Sequence, residues 1–210
     1  MNLDVTYLEA LEQELAGLPP LHRVAFAASL CERLLPNYSA FARDAGWGDP
    51  SILRVALDEV WQILQGKPLD ELKIHQLMED CSNIYPSGDD SYDSHYLPEA
   101  EAAVIAITNT LYLCLDPTPE RTIGVAMQAQ ETLFSFINLL VSLKDPLSWD
   151  KKTLAEQRKE VVIHPFTVRE MTKQSEDLQQ LKETGTLDRN FLEWLRTSFD
   201  NGGKSLIDLS

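Results

Sequence analysis

Basic residues are scarce in this chain, and their scarcity limits what it can bind. The 210 residues include 18 Lys and Arg against 33 Asp and Glu, which gives a formal net charge of −15. The imbalance is concentrated early, because residues 1–100 carry 6 basic and 17 acidic side chains. Nucleic acid phosphates and anionic lipid headgroups bind proteins largely through Lys and Arg. We therefore expect no nucleic acid partner and no membrane partner.

Long apolar runs are also missing. The longest strongly apolar run, residues 133–143, is shorter than the roughly 20 residues that span a bilayer. The first 14 residues, MNLDVTYLEALEQE, contain four acids and no basic residue, so they do not resemble a secretory signal. These features predict a cytoplasmic protein.

The chain has only three cysteines and lacks several common catalytic motifs. Cys31, Cys81 and Cys114 are far apart in apolar contexts and form no C-x-x-C pair, which favours buried free thiols over a disulfide or a thiolate metal site. The nucleophile elbow, the phosphate loop and the dinucleotide fingerprint are all missing from the sequence. No familiar enzyme class is indicated.

The period-two alternation of a β-strand is absent, and apolar residues recur at helical spacing instead. We predict an all-α fold, a single-domain multi-helix bundle over residues 1–210. Residues 1–146 form the main bundle, and residues 150–210 form a helical extension that packs on it or on a second subunit. The bundle contains a buried central helix pair, with the almost wholly apolar segments 102–107 and 111–115 at its core.

Prolines, glycines and capping residues predict the helix boundaries. We expect Pro36 to end the second helix and a short new helix to begin there, because proline lacks the N–H that a helix interior needs. We expect a polar outer helix near residues 166–182. The other predicted helices run from Asp4 to Ala16, from Pro50 to Gln65, from Asp70 to Ser82, from about 119 to Lys144 and from Leu187 to Phe199.

A spaced set of residues connects the chain to a known family. It comprises Leu30-Cys31-Glu32-Arg33, Pro36-Asn37-Tyr38, Phe41, Gly48-Asp49, Arg54, Leu57-Asp58, Trp61, Pro86-Ser87-x-Asp89-Asp90 and Tyr96 to Pro98. The combination resembles the bacterial YjaG-like family, domain of unknown function 416, most closely over residues 20–115. The resemblance implies an all-helical fold and no particular activity. It marks seven motif residues of unassigned role: Arg33, Asn37, Tyr38, Asp49, Arg54, Asp58 and Trp61.

An acidic loop, PSGDDSYDSHYLPE at residues 86–99, is the candidate metal site. Asp89, Asp90, Asp93 and His95 are close in sequence, and hard oxygen donors favour a divalent ion such as magnesium, manganese or calcium. The spacing matches no EF-hand, zinc or di-iron motif. Carboxylates that precede a helix are also stabilised by its N-terminal N–H groups without any metal. We favour this second interpretation.

Four of the motif residues are charged: Arg33, Asp49, Arg54 and Asp58. Charged groups within a helical bundle more often pair with one another or cap helix ends than bind a ligand. Arg54 and Asp58 are four residues apart on one predicted helix, a spacing that allows an ion pair. We expect these charges to be structural.

The sequence favours a non-enzymatic interaction or assembly module, with a protein partner or self-association as a homodimer. The alternative is a metal-dependent enzyme, possibly hydrolytic, that uses the acidic loop around Asp89 and Asp90. A third interpretation is an acidic protein that docks on a basic partner, with an affinity that falls as salt rises.

Overall fold

A computed structural model describes residues 5–87, 92, 94–144, 151–199 and 201–210. Within these ranges the chain forms helices and no strands, which confirms the all-α prediction. None of the described helices is long and apolar enough to cross a membrane. The helices are α1 (Val5–Ala16), α2 (Pro20–Ala45), α3 (Pro50–Leu64), α4 (Glu71–Asn83), α5 (Leu97–Leu115), α6 (Pro119–Lys144), α7 (Leu154–Ile163), α8 (Pro165–Glu183) and α9 (Arg189–Thr197).

The centre of the fold is the pair α2 and α5. Both apolar segments predicted to be central lie in α5, which contacts α2, α3, α4 and α6. Small side chains are frequent where α5 is buried, as at Ala100, Ala103 and Ala106. Alanines allow neighbouring helix backbones to approach closely, so α5 can be enclosed on several sides.

The prediction that Pro36 ends the second helix is wrong. α2 continues through Pro36 to Ala45. A proline inside a helix costs about 3 kcal/mol, whereas burying one large apolar side chain gains roughly 1.5–3 kcal/mol. Leu34, Tyr38 and Phe41 flank the proline and are fully buried. Their combined burial outweighs the cost of the proline, so the helix continues.

Side-chain caps begin several helices, as the sequence predicts. The Asp49 carboxylate accepts a hydrogen bond from the Ser51 N–H at 2.9 Å at the start of α3. Asp70 accepts from the Lys73 N–H at 3.1 Å at the start of α4. Asp4, the predicted cap of α1, lies outside the described residues. These caps satisfy N–H groups that have no partner within the helix.

The prediction of a polar outer helix near residues 166–182 is also corrected. α8 spans this region, but it buries Glu170, Gln174 and Asp177 completely. Glu170 and Asp177 face α2, where Arg33 pairs with both. After α9, residues 205–207 are buried again, and the Leu206 N–H donates to the Arg33 carbonyl at 3.1 Å. The division at residues 146 and 150 stays a prediction.

Candidate functional site

Two adjacent residues of α2 organise the charged groups of this fold. Glu32 contacts side chains of α3 and α9, while Arg33 contacts side chains of α8. Successive residues on a helix point in different directions, about 100° apart. One turn of α2 therefore supports two charge clusters, one partly exposed and one buried.

The partly exposed cluster surrounds Glu32. Its carboxylate accepts from both terminal nitrogens of Arg54 at 2.7 and 2.9 Å and from the Trp61 indole N–H at 2.7 Å. Arg196 of α9 joins through its Nε at 3.1 Å. Asp58 completes the cluster, 3.0 Å from Arg54 and 2.6 Å from Arg196. Two carboxylates and two guanidinium groups thus balance, and the predicted Arg54–Asp58 pair is present.

The buried cluster surrounds Arg33, which is 2% exposed. Its Nε and Nη2 donate to the two oxygens of Glu170 at 2.8 and 2.9 Å, and its Nη1 donates to Asp177 at 3.0 Å. Burial tends to lower the pKa of Arg33, but Glu170 and Asp177 outweigh that effect and raise it. Arg33 therefore stays charged, and its two carboxylates keep a permanent counterion.

Further polar groups surround this buried cluster. Lys173 donates to Asp177 at 2.7 Å, so two cations face two buried carboxylates. Gln174 donates to Glu170 at 2.9 Å and accepts from the Tyr7 hydroxyl at 2.7 Å. Burial, with Glu170 nearby, raises the pKa of Tyr7. A polar network therefore connects α1, α2 and α8, with its charges matched.

A cavity of about 370 Å³ opens beside the Glu32 cluster. We call it the motif cavity, because Arg33 and Arg54 line it and Asp58 and Trp61 support its wall. The other lining residues used below are Glu32, Arg196, Phe199 and Lys204. Gly202 and Gly203 form a turn at its rim, both with positive φ, a conformation that favours glycine.

Hydrogen-bond donors in the motif cavity exceed acceptors. The buried Nε of Arg54 has no partner, and Lys204 is exposed with no described carboxylate within ion-pair distance. Four described lining residues are cationic; Arg33, Arg54 and Arg196 are paired with carboxylates of the two clusters, which leaves the charge of Lys204 for a ligand. The cavity can therefore accept a group that offers oxygen atoms and negative charge.

The other three motif residues lie away from this cavity. The Tyr38 hydroxyl donates to the Ile84 carbonyl at 2.8 Å, and Asp49 caps α3. Asn37 is fully buried, and neither its amide oxygen nor its amide nitrogen has a partner. Tyr38 and Asp49 thus have structural positions, and the structure gives no explanation for the unpartnered Asn37.

The acidic loop is described only in part. Asp89, Asp90 and Asp93 lie outside the described residues, so their arrangement stays a prediction. His95 is exposed and precedes α5. Glu99 is 1% exposed, and neither carboxylate oxygen makes a hydrogen bond of normal geometry, since its contacts with Ser135 and its own backbone N–H fall short of that geometry. Burial raises the pKa of Glu99 to about 7, although its own backbone N–H and Ser135 oppose the increase.

No metal-binding chemistry assembles elsewhere within the described ranges. The structure brings no group of three His, Cys, Asp or Glu side chains together there. Cys31 and Cys81 are buried and Cys114 is partly buried, all as free thiols. Burial raises the pKa of each thiol, so none has the thiolate character of a nucleophile.

Sequence reasoning missed Glu170, Asp177, Arg196 and Lys204. For α8 a signal was present: Glu170, Gln174, Asp177 and Leu181 recur at helical spacing and form one face. That face is buried: Leu181 joins the apolar core, and the polar residues that precede it on the same face are buried with their hydrogen-bond partners. Arg196 and Lys204 had no local signal, since only the three-dimensional fold brings them to α2.

Comparison with known proteins gives consistent results. The model of DUF416, a protein of unknown function, matches residues 10–210. "Uncharacterized protein YjaG" of Escherichia coli K12 is 27% identical over 195 residues, covering 93% of each chain. Its namesake in Salmonella typhimurium LT2 is 24% identical over 196 residues, covering 93% of this chain and 94% of that one. A crystal structure of a DUF416 family protein from Shewanella baltica OS155 has a TM-score of 0.82 at 24% identity, covering 95% of this chain and 97% of that chain; it supports the fold alone.

Proposed function

The chain belongs to the DUF416 family, a family of unknown function, and from the geometry above we propose that it is a non-enzymatic interaction module that binds an acidic segment of a protein partner in the motif cavity. The observation that carries this proposal is the set of unused donors there. Lys204 lines a cavity large enough for a carboxylate side chain and has no described ion-pair partner, and Arg54, which also lines it, has an unpartnered Nε. A carboxylate accepts several N–H donors at once.

Charge pairing argues for binding rather than catalysis at this place. Each carboxylate of the Glu32 cluster already contacts two guanidinium groups. A general base needs a carboxylate or imidazole free to take a proton, with a pKa near the working pH. Glu32 and Asp58 are already held by Arg54 and Arg196, so neither carboxylate is free to take a proton from a substrate. The cluster forms one side of the motif cavity, where its paired charges can position a ligand.

The overall charge limits the partner to a short acidic segment. A chain with net charge −15 repels a long polyanion over a distance of about 10 Å at ordinary salt. A short acidic peptide or a C-terminal carboxylate experiences less of this repulsion. It can still reach the local cationic groups of the motif cavity.

A peptide titration tests the proposal. Tri-glutamate added to isotope-labelled full-length protein is expected to shift the backbone NMR signals of residues 196–204 in a saturable manner. Tri-glutamine should not do so, because its amide side chains carry no charge. Lys204→Ala should weaken the response several-fold, and Lys159→Ala, which removes an exposed lysine of α7, should leave it unchanged. Equal responses to both peptides would refute the proposal.

The metal-dependent enzyme remains the second candidate, and Glu99 favours it. An unpaired buried carboxylate at the last residue of the acidic loop is suited to act as a ligand or a base in such a site. Melting temperatures of chelator-treated protein, measured with magnesium, manganese, calcium, zinc and ferrous iron, test this hypothesis. A shift that disappears in the Asp89→Asn/Asp90→Asn variant would support it. Equal melting with every ion would reject it.

Self-association as a homodimer and a cytoplasmic location are part of the same proposal. Both rest on sequence features, the helical patterning and the acidic charge. Light scattering over a wide concentration range tests the dimer. A molecular mass that stays at the 23.7 kDa of one chain at the highest concentration would exclude it.

A further inference from the structure

A second cavity, unrelated to the motif cavity, lies between α1, α6, α7 and α8. Its volume is about 270 Å³, just below the roughly 300–1,000 Å³ of typical small-molecule sites. Val162, Val168 and Met171 are the apolar side chains of its lining. Val162 and Val168 are 41% and 52% exposed, so the cavity opens to the surface on their side.

Two polar atoms at this cavity lack a partner. They are the Gln130 amide oxygen and the Thr167 hydroxyl, and both residues line the cavity. Gln130 is 2% exposed and Thr167 is 3% exposed. A buried polar group without a hydrogen bond costs about 1–3 kcal/mol. Two such groups on residues that line one cavity are what a polar ligand head could satisfy.

The other polar groups of the lining are already engaged. The Tyr7 hydroxyl donates to Gln174 at 2.7 Å, and the Thr172 hydroxyl donates to the Val168 carbonyl at 2.7 Å. None of the described lining residues carries a charge. A charged head would therefore be buried without a counterion, which is strongly unfavourable. The head group that fits is neutral.

We propose that this cavity binds a small amphipathic alcohol, with its apolar body against Val162, Val168 and Met171 and its hydroxyl between Gln130 and Thr167. A hydroxyl both donates and accepts. It can donate to the Gln130 oxygen and accept from the Thr167 hydroxyl at the same time. A water molecule occupies about 30 Å³ in the liquid. If each non-hydrogen atom of a ligand takes a similar volume, the cavity has room for on the order of ten of them.

Octanol is the probe for the test, with octanoate and octane as comparators. Calorimetric titration of the full-length protein at neutral pH is expected to show saturable binding of octanol. Octanoate should bind more weakly because its charge is unpaired in the cavity, and octane should bind more weakly because it leaves both polar atoms unpartnered. Methyl NMR signals of Val162, Val168 and Met171 should shift with octanol and locate the site.

Two threonine variants separate the hydroxyl contact from packing. Thr167→Val removes the unpartnered hydroxyl with almost no change of shape, and it is expected to weaken octanol binding about tenfold, the equivalent of about 1.4 kcal/mol. Thr172→Val is the matched control, because its hydroxyl lines the same cavity but is already bonded. It should leave the affinity unchanged.

Several outcomes would overturn the proposal. They are no saturable octanol binding, equal weakening by the two threonine variants, or octanoate binding as tightly as octanol. Thr167→Val should also fold at least as stably as the parent protein, since it removes an unsatisfied group. A marked loss of stability in that variant would show that the hydroxyl already has a structural partner.

Discussion

Arg33 is the residue on which two buried carboxylates depend. Replacing it by Met leaves Glu170 without a cation and Asp177 with Lys173 alone. An uncompensated buried charge costs about 3–5 kcal/mol. We therefore expect Arg33→Met to lower the free energy of unfolding by roughly that amount, as measured by urea denaturation at neutral pH.

The control for Arg33 is Arg121, whose ion pair with Asp116 lies on the surface. Exposed pairs contribute about 0–1 kcal/mol, so Arg121→Met should have little effect. Adding Glu170→Gln and Asp177→Asn to Arg33→Met should recover part of the loss, because the buried charges are then removed together. Equal urea midpoints for Arg33→Met and Arg121→Met would contradict the buried-network interpretation.

Glu99 is expected to make stability depend on pH. Its pKa is about 7 in the folded chain against an ordinary value of 4.5. Between these values the unfolded state releases the proton while the folded state keeps it, so the free energy of unfolding falls as pH rises. The loss should begin near pH 4.5, approach roughly 3 kcal/mol and level off above pH 7.

Comparison of two variants isolates this effect. Glu99→Gln should remove most of the decline, because a neutral amide of the same size has no charge to bury, and it should be more stable than the parent at pH 8. Glu79→Gln, at an exposed position of α4, should keep the parent's pH dependence. Urea denaturation across this range measures both, and an unchanged slope in Glu99→Gln would reject the assignment.

The sequence alone predicted some of the charged contacts in the structure. The Arg54–Asp58 pair and the Asp49 cap follow from local spacing, because both partners belong to one helix or its entrance. The partners of Arg33 are more than 130 residues away in sequence. No local pattern identifies contacts at that distance, so the sequence predicted that Arg33 would pair but not with which residues.

At the scale of helices, the connection from α2 to α3 depends on Gly48. Its φ is +87°, and a Cβ built there would lie 2.3 Å from the Tyr38 hydroxyl. Tyr38 is fully buried and donates to the Ile84 carbonyl, so it cannot move away freely. Gly48→Ala therefore combines backbone strain with a steric clash, and we expect a loss of more than about 2 kcal/mol.

Gly66 is the matched control for Gly48. Its φ is +95°, but a Cβ there would meet nothing within 4 Å. Gly66→Ala should therefore show backbone strain alone, on the order of 1 kcal/mol. Thermal melting of the two variants measures the difference. If Gly48→Ala were no less stable than Gly66→Ala, the contact with Tyr38 would not constrain this turn.

The helix boundaries show where local signals are sufficient. Asp-Pro at residues 49–50 predicted the start of α3 correctly, because an N-cap and a proline in the first turn both act locally. Pro36 misled the prediction, because the packing of its neighbours decides whether the helix ends. The outer position assigned to α8 failed for a related reason, since the buried partner of its polar face lies on α2.

At the scale of the whole molecule, acidic charge and internal pairing are separate features. The net charge of −15 belongs mostly to the surface, where it affects which partners can approach. The buried network contains Arg33 and Lys173 against Glu170 and Asp177, so its charges cancel. Salt should therefore alter the binding of partners much more than it alters this network, because buried pairs are screened weakly.

The last six residues contact α2. Leu206 and Ile207 are fully buried, and the Leu206 N–H donates to the Arg33 carbonyl. Burial of two such side chains contributes roughly 1.5–3 kcal/mol each. We expect deletion of residues 205–210 to lower the free energy of unfolding by roughly 3–6 kcal/mol, as measured by urea denaturation.

The Asp208→Asn variant is the control for this deletion, because it keeps the chain length and removes only the charge through which Asp208 interacts with Arg169, Asn201 and Lys204. A partly exposed pair such as that with Arg169 contributes less than about 1 kcal/mol. In the parent protein, helical circular dichroism and tryptophan fluorescence should lose signal in a single coincident transition if the C-terminal helices and the bundle unfold together. Separate transitions, or a deletion no more destabilising than Asp208→Asn, would show that residues 150–210 are an independent appendage.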